Sequence, residues 1–92
     1  MAVTVKIPTQ LRAAAGGAAE AEVEGADTVA EVLDGLFDRY GELRERISDE
    51  DGGLRRFVNV YVGGEDIRFL EGLDTPVSDG GEITILPAVA GG

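Results

Sequence analysis

One amphipathic stripe constrains this chain more than any other feature. Val29, Val32, Leu33, Leu36, Phe37 and Tyr40 recur at the three- and four-residue spacing of one helix face, and Glu31, Asp34, Asp38 and Arg39 fall away from it. Thr28 followed by Glu31 has the pattern of a capping box, which satisfies the orphan amides of a first helical turn. Gly35 interrupts the helix at a cost of about 1 kcal/mol relative to alanine, and would allow close approach to a sheet. Gly41 is expected to end the helix.

The rest of the chain offers mainly strands to cover that stripe. Val3, Val5 and Ile7 alternate with Thr4 and Lys6, a half-buried strand that Pro8 ends because it cannot donate to a ladder. Residues 9–17 read as a loop with one helical turn around Leu11. Ala19, Ala21 and Val23 alternate with Glu20, Glu22 and Glu24, a second strand whose acidic face suits a sheet edge. So short a connection points to a hairpin. Residues 42–47 return Leu43 and Ile47 to the core as a short second helix or turn. The acidic loop 48–53 lacks the alternating oxygen ligands and closing glutamate of a calcium loop, so no metal site is expected.

The strongest strand is 57–62. Val58, Val60 and Val62 share one face, and Phe57, Asn59 and Tyr61 the other. Gly63-Gly64 suits a two-residue hairpin turn, because both positions can take positive φ. Ile67 and Phe69 are expected in a short returning strand, 71–81 in irregular structure, and 82–86 in the last strand, which Pro87 stops. One helix burying one stripe against one sheet is an α+β arrangement. The pattern predicts a β-grasp (ubiquitin-like) fold, a mixed four- to five-stranded sheet crossed by one main helix. The domain occupies residues 1–86 and a flexible tail 87–92; the pairing order of the strands stays open.

Composition narrows the chemistry. The chain has 92 residues, no cysteine and no histidine, which removes disulfides, thiolate nucleophiles, Cys/His zinc sites and a histidine general base. Eighteen acidic residues against eight basic give a formal charge of −10, which phosphate backbones would repel, so no nucleic acid partner is expected. The excess suits a protein partner with a basic docking surface, or serves only to keep a small domain dissolved. Neither an export segment nor a run long enough to span a membrane is visible, so a cytoplasmic protein without membrane contact is expected, monomeric when free.

After Pro87 come Ala88, Val89, Ala90, Gly91 and Gly92. Glycines have no side chain to block a narrow channel and accept conformations barred to other residues. Extended, six residues reach at most roughly 20 Å, enough to enter an enzyme pocket, with small apolar contacts from Ala88, Val89 and Ala90 along the way. The α-carboxylate of Gly92, with a reference pKa near 3.3–3.7, is ionised at neutral pH and needs no histidine to activate it.

Three blocks then carry a resemblance. Residues 56–62 (Arg-Phe-Val-Asn-Val-Tyr-Val), 65–69 (Glu-Asp-Ile-Arg-Phe) and 83–92 (Ile-Thr-Ile-Leu-Pro-Ala-Val-Ala-Gly-Gly) resemble the MoaD/ThiS family of sulfur carrier proteins, in its actinobacterial CysO-type branch. The opening residues 3–9, with Leu11-Arg12, fit the same type. The resemblance implies that an E1-like adenylating and sulfur-transferring enzyme uses ATP on the Gly92 carboxylate and converts it to a thiocarboxylate. The sulfur then passes to a biosynthetic enzyme, for cysteine synthesis or a sulfur-containing metabolite. No cofactor is bound by the chain itself, and no residue of it is catalytic; it is a protein cosubstrate.

Phe57, Asn59 and Tyr61 either present a docking face to such partners or cover the rim of the core. Arg55, Arg56 and Arg68 could pair with acidic groups on a partner, but ordinary surface pairs with the many local carboxylates are expected. Two other readings share the fold: a ubiquitin-like modifier joined to lysines through Gly92, and an adaptor with an inert tail.

Overall fold

The computed structural model describes residues 2–50, 53–55 and 58–87. Five strands, β1 (Ala2–Lys6), β2 (Glu20–Glu24), β3 (Val58–Val62), β4 (Glu65–Asp66) and β5 (Glu82–Pro87), form one mixed sheet in the order β2-β1-β5-β3-β4. The pair β1–β2 is antiparallel, the expected hairpin, and the acidic β2 lies at the edge. At the centre β1 and β5, the two ends of the chain, run parallel. β5 also pairs antiparallel with β3 from Val62↔Ile83 to Val58↔Pro87. The mixed sheet under one main helix is the expected β-grasp arrangement.

The helix α1 (Val29–Arg39) buries Val29, Val32, Leu33, Leu36 and Phe37. Its start follows the capping pattern: the Thr28 hydroxyl accepts from the Glu31 amide at 3.3 Å. The Glu31 carboxylate reaches back to the amide of Asp27, at 2.7 Å, one residue earlier than a capping box requires. Gly35 faces β2 so closely that a β-carbon there would stand 2.7 Å from Val23 Cγ1. The core beneath is aliphatic: Val3, Val5, Val60, Ile83 and Ile85 from the sheet meet Leu36, Leu43 and Ile47 from the helices. Each such side chain contributes about 1.5–3 kcal/mol on full burial.

Several local expectations are corrected. Residues 9–17 hold a 3₁₀ helix over Thr9–Ala15, longer than one turn, which buries Leu11, Ala14 and Ala15 and closes on left-handed Gly16. Ala19 is exposed, because the strand begins at Glu20. Gly41 does not end α1: Tyr40 is the joint, its N–H bonding back to Leu36, and Gly41 opens a second helix, α2 (Gly41–Ile47), that buries Leu43 and Ile47. Val62 shares the face of Val58 and Val60 and packs half-buried at the margin of the core. The last strand runs one residue further than expected, to Pro87.

The returning strand is the largest correction. β4 has two residues, joined to β3 through Gly63 and Gly64 with φ of 58° and 90°. Ile67–Phe69 then coils into a 3₁₀ turn capped by the Asp66 carboxylate, which accepts from the Arg68 amide at 2.8 Å. At three residues per turn, positions two apart point different ways. Ile67 is accordingly buried and Phe69 exposed, where a strand would have put both on one face. Phe57, expected to open β3, lies outside the described residues, as do Arg56 and the tail beyond Pro87.

Candidate functional site

The candidate site is built on β5. Its inward residues, Ile83 and Ile85, are fully buried, and β1 and β3 hydrogen-bond it on both sides. The segment that leads to Gly92 is thus an interior strand, held in place until at least Pro87, whose partner is Val58. A strand so anchored fixes the position and direction from which the chain continues. Gly92, Gly91, Ala90, Val89 and Ala88 themselves lie outside the described residues.

The outward face of the same strand completes the geometry. Thr84 stands opposite Tyr61, and Leu86 opposite Asn59. Asn59 and Tyr61 therefore lie on the open face of the sheet, both half-buried, beside the strand that carries the tail. Tyr61 also pairs with Asp66 of β4. The third member of that group, Phe57, is not described.

Sequence reasoning missed three apolar residues. Phe69, Leu70 and Leu86 are 86, 40 and 44% exposed, the large exposed hydrophobics among the described residues. Leu86 takes the outward position of an alternating strand, the turn that the sequence left to Glu82 and Thr84. That break in the alternation was the available signal. Phe69 ends the 3₁₀ turn and Leu70 follows it; beside them the Arg68 guanidinium donates to the Val58 carbonyl of β3 at 3.1 Å. This contact with a backbone carbonyl goes beyond the surface pairing expected of Arg68. Arg55 likewise donates through Nε to the Glu45 carbonyl.

Across the sheet the open face changes character. On β1 and β2, Lys6 faces Glu20 and Thr4 faces Glu22; Lys6 also pairs with Glu82 at 3.6 Å, both side chains half exposed. The β2 side is acidic, whereas the β3–β5 side sets Leu86 and the Tyr61 ring among the polar Asn59 and Thr84, a division suited to a partner with a basic rim and a mixed centre. On the helical side, a cleft lined by Leu33, Phe37, Ser48, Leu54 and Leu73 holds about 50 Å³, against roughly 300–1,000 Å³ for ligand sites. It is too small to enclose a metabolite.

The five-stranded mixed sheet crossed by one main helix places the chain in the ubiquitin-like (β-grasp) class. Within that class the chain belongs to the ThiS family, whose model matches residues 5–92. It is 49% identical to the sulfur carrier protein CysO of Mycobacterium tuberculosis over 94 aligned residues, covering the whole of both chains. Among solved structures it is similar to a chain of the BexX/CysO complex of Amycolatopsis orientalis, with a TM-score of 0.88 and 49% identity over 98% of this chain and 99% of that one. SAMP1 of Haloferax volcanii matches with a TM-score of 0.85 and 29% identity over all of both chains. Membership and full-length likeness together give the chain the role of a sulfur carrier.

Proposed function

We propose that the Gly92 carboxylate is the group that carries the sulfur. An E1-like enzyme adenylates it with ATP, a sulfur nucleophile displaces AMP to leave a thiocarboxylate, and a biosynthetic enzyme takes the sulfur. The chain supplies no catalytic residue; its part is to present the tail. The observation that carries this reading is β5, an interior strand with fully buried Ile83 and Ile85 that leads directly into the residues before Gly92. The family match, which runs through residue 92, supports it. ATP belongs to the activating enzyme.

The docking face under this proposal is Leu86 with Asn59 and Tyr61, flanked by Phe69 and Leu70 at the β3 edge. The charge of −10 steers a basic partner toward it. That the A. orientalis relative is found in a complex with BexX supports a protein partner here.

A second reading, conjugation of Gly92 to lysines of other proteins, is favoured by the likeness to SAMP1, a small archaeal modifier protein. Intact mass spectrometry of the protein from its native host separates the two. Exchange of one oxygen for sulfur supports the carrier cycle and isopeptide adducts support the modifier; neither species under sulfur demand would sink both. Deleting Gly92 is expected to abolish AMP and sulfur transfer while leaving the thermal transition unchanged.

A further inference from the structure

A strand at a sheet edge offers its unpaired N–H and C=O groups to any strand that can reach them. In this sheet the two edges differ. At β3 the edge is covered: β4 pairs with Tyr61 and Val62, and the Arg68 guanidinium takes the Val58 carbonyl. Beyond β2 no strand follows. Ile7 donates to the Ala19 carbonyl at 2.8 Å, and the register then places the hydrogen-bonded pairs with β1 at Val5–Ala21 and Val3–Val23. The N–H and C=O groups of Glu20, Glu22 and Glu24 therefore point outward, away from β1.

The side chains of those same three residues are exposed. Among the described residues none of them has an ion-pair partner: Lys6, which faces Glu20, pairs with Glu82 at 3.6 Å. The other face of β2 holds Ala21 and Val23, both buried, and α1 closes on Val23 at Gly35. Recognition at this edge thus falls to backbone and charge, not to an apolar groove.

We propose that the free edge of β2 takes up an extended basic segment of a protein partner as an added antiparallel strand. Hydrogen-bonded pairing with Glu20, Glu22 and Glu24 sets every second residue of the incoming strand opposite a carboxylate, about 5.5 Å away between Cα atoms. Lys or Arg at those alternate positions meets three unpaired charges, whereas an acidic strand is repelled. A second copy of this chain is repelled too, because the outward groups of two β2 strands pair only glutamate against glutamate. Since β1 separates β2 from β5, the added strand leaves Leu86 free to meet another partner at the same time.

The test titrates an acetylated, amidated Thr-Lys-Val-Arg-Val-Lys-Thr peptide into the nitrogen-15-labelled full chain and follows amide shifts and hydrogen exchange by NMR. Saturable shifts on β2 and slowed exchange of the Glu20, Glu22 and Glu24 amides are expected. Affinity is expected to fall at least about fivefold in the triple variant Glu20→Gln, Glu22→Gln, Glu24→Gln, whose thermal melt verifies its fold. N-methylation of the peptide's Lys and Arg amides keeps its charge, removes its donors and is expected to weaken binding at least about tenfold. A peptide of the same composition with its basic residues contiguous is expected to bind as weakly. Equal affinity for either altered peptide overturns the proposal, since charge alone would then account for binding, and so does undiminished affinity in the triple variant. An absence of saturable shifts, or shifts centred on Leu86 and Tyr61 with β2 unmoved, overturns it as well. Self-association through β2 without peptide would make a second copy the occupant, against the proposal.

Discussion

Replacing Gly35 by alanine tests whether the helix lies as close to the sheet as the geometry places it. The added β-carbon would stand 2.7 Å from Val23 Cγ1, against an optimal carbon–carbon separation of about 3.5–4.0 Å. Val23 is 6% exposed and paired to Val3, and a β-branched side chain has little freedom to rotate away. Either α1 or the edge strand β2 must then move by roughly 1 Å, an overpacking that costs about 1–3 kcal/mol. Alanine returns up to about 1 kcal/mol through helix propensity and a less flexible unfolded chain. The net expectation is a loss of about 1–2 kcal/mol, or roughly 4–16 °C in Tm for a domain of this size. Thermal and urea melts followed by circular dichroism measure it. Val23→Ala removes the clashing methyl group, so the double variant is expected to be more stable than the sum of the single losses by about 0.5 kcal/mol or more. A Gly35→Ala protein that gains the full helical increment would refute the close contact, and with it this account of the glycine.

Other perturbations address the core, the cap and the docking face. Val60→Asp puts an unpaired carboxylate at a position with no solvent exposure, and the variant is expected to lose its cooperative melt and dispersed NMR spectrum. Thr28→Ala removes the acceptor of the Glu31 amide and is expected to cost about 1 kcal/mol in urea denaturation. Leu86→Asp changes a residue 44% exposed; stability is expected to hold within about 0.5 kcal/mol. Calorimetric affinity for the activating enzyme proposed as its partner, taken from the same host, is expected to fall at least about tenfold, the loss of a buried apolar anchor. Unaltered affinity would show that the partner docks elsewhere.

How far the sequence reached can be judged residue by residue. The stripe from Val29 to Phe37 was legible because helical periodicity is local, and so was its cap, although Glu31 bonds to Asp27 in a way that spacing does not specify. The alternations of β1, β3 and β5 were legible for the same reason, as was the Gly63-Gly64 turn. Ile67 and Phe69 misled because two apolar residues in alternation satisfy a strand pattern, whereas the Asp66 side chain binds the Arg68 amide and turns the backbone. Gly41 misled because glycine commonly closes helices; here it opens α2 directly after the Tyr40 joint.

By itself the sequence determined the main helix, the strands β1, β2, β3 and β5 and most of their core-facing residues, the exclusion of thiol and imidazole side-chain chemistry, and the small-residue tail that suits a threaded carboxylate. Strand order was decided only in three dimensions. The parallel pairing of β1 with β5 joins Val5 to Ile83, a contact between the two ends of the chain that no local pattern encodes. That pairing makes the tail-bearing strand an interior one and sets Lys6 against Glu82, while the antiparallel pairing with β3 brings Leu86 beside Asn59. The exposure of Phe69, Leu70 and Leu86 has the same origin: whether an apolar side chain is buried depends on what the rest of the fold places over it, and here nothing among the described residues covers them fully.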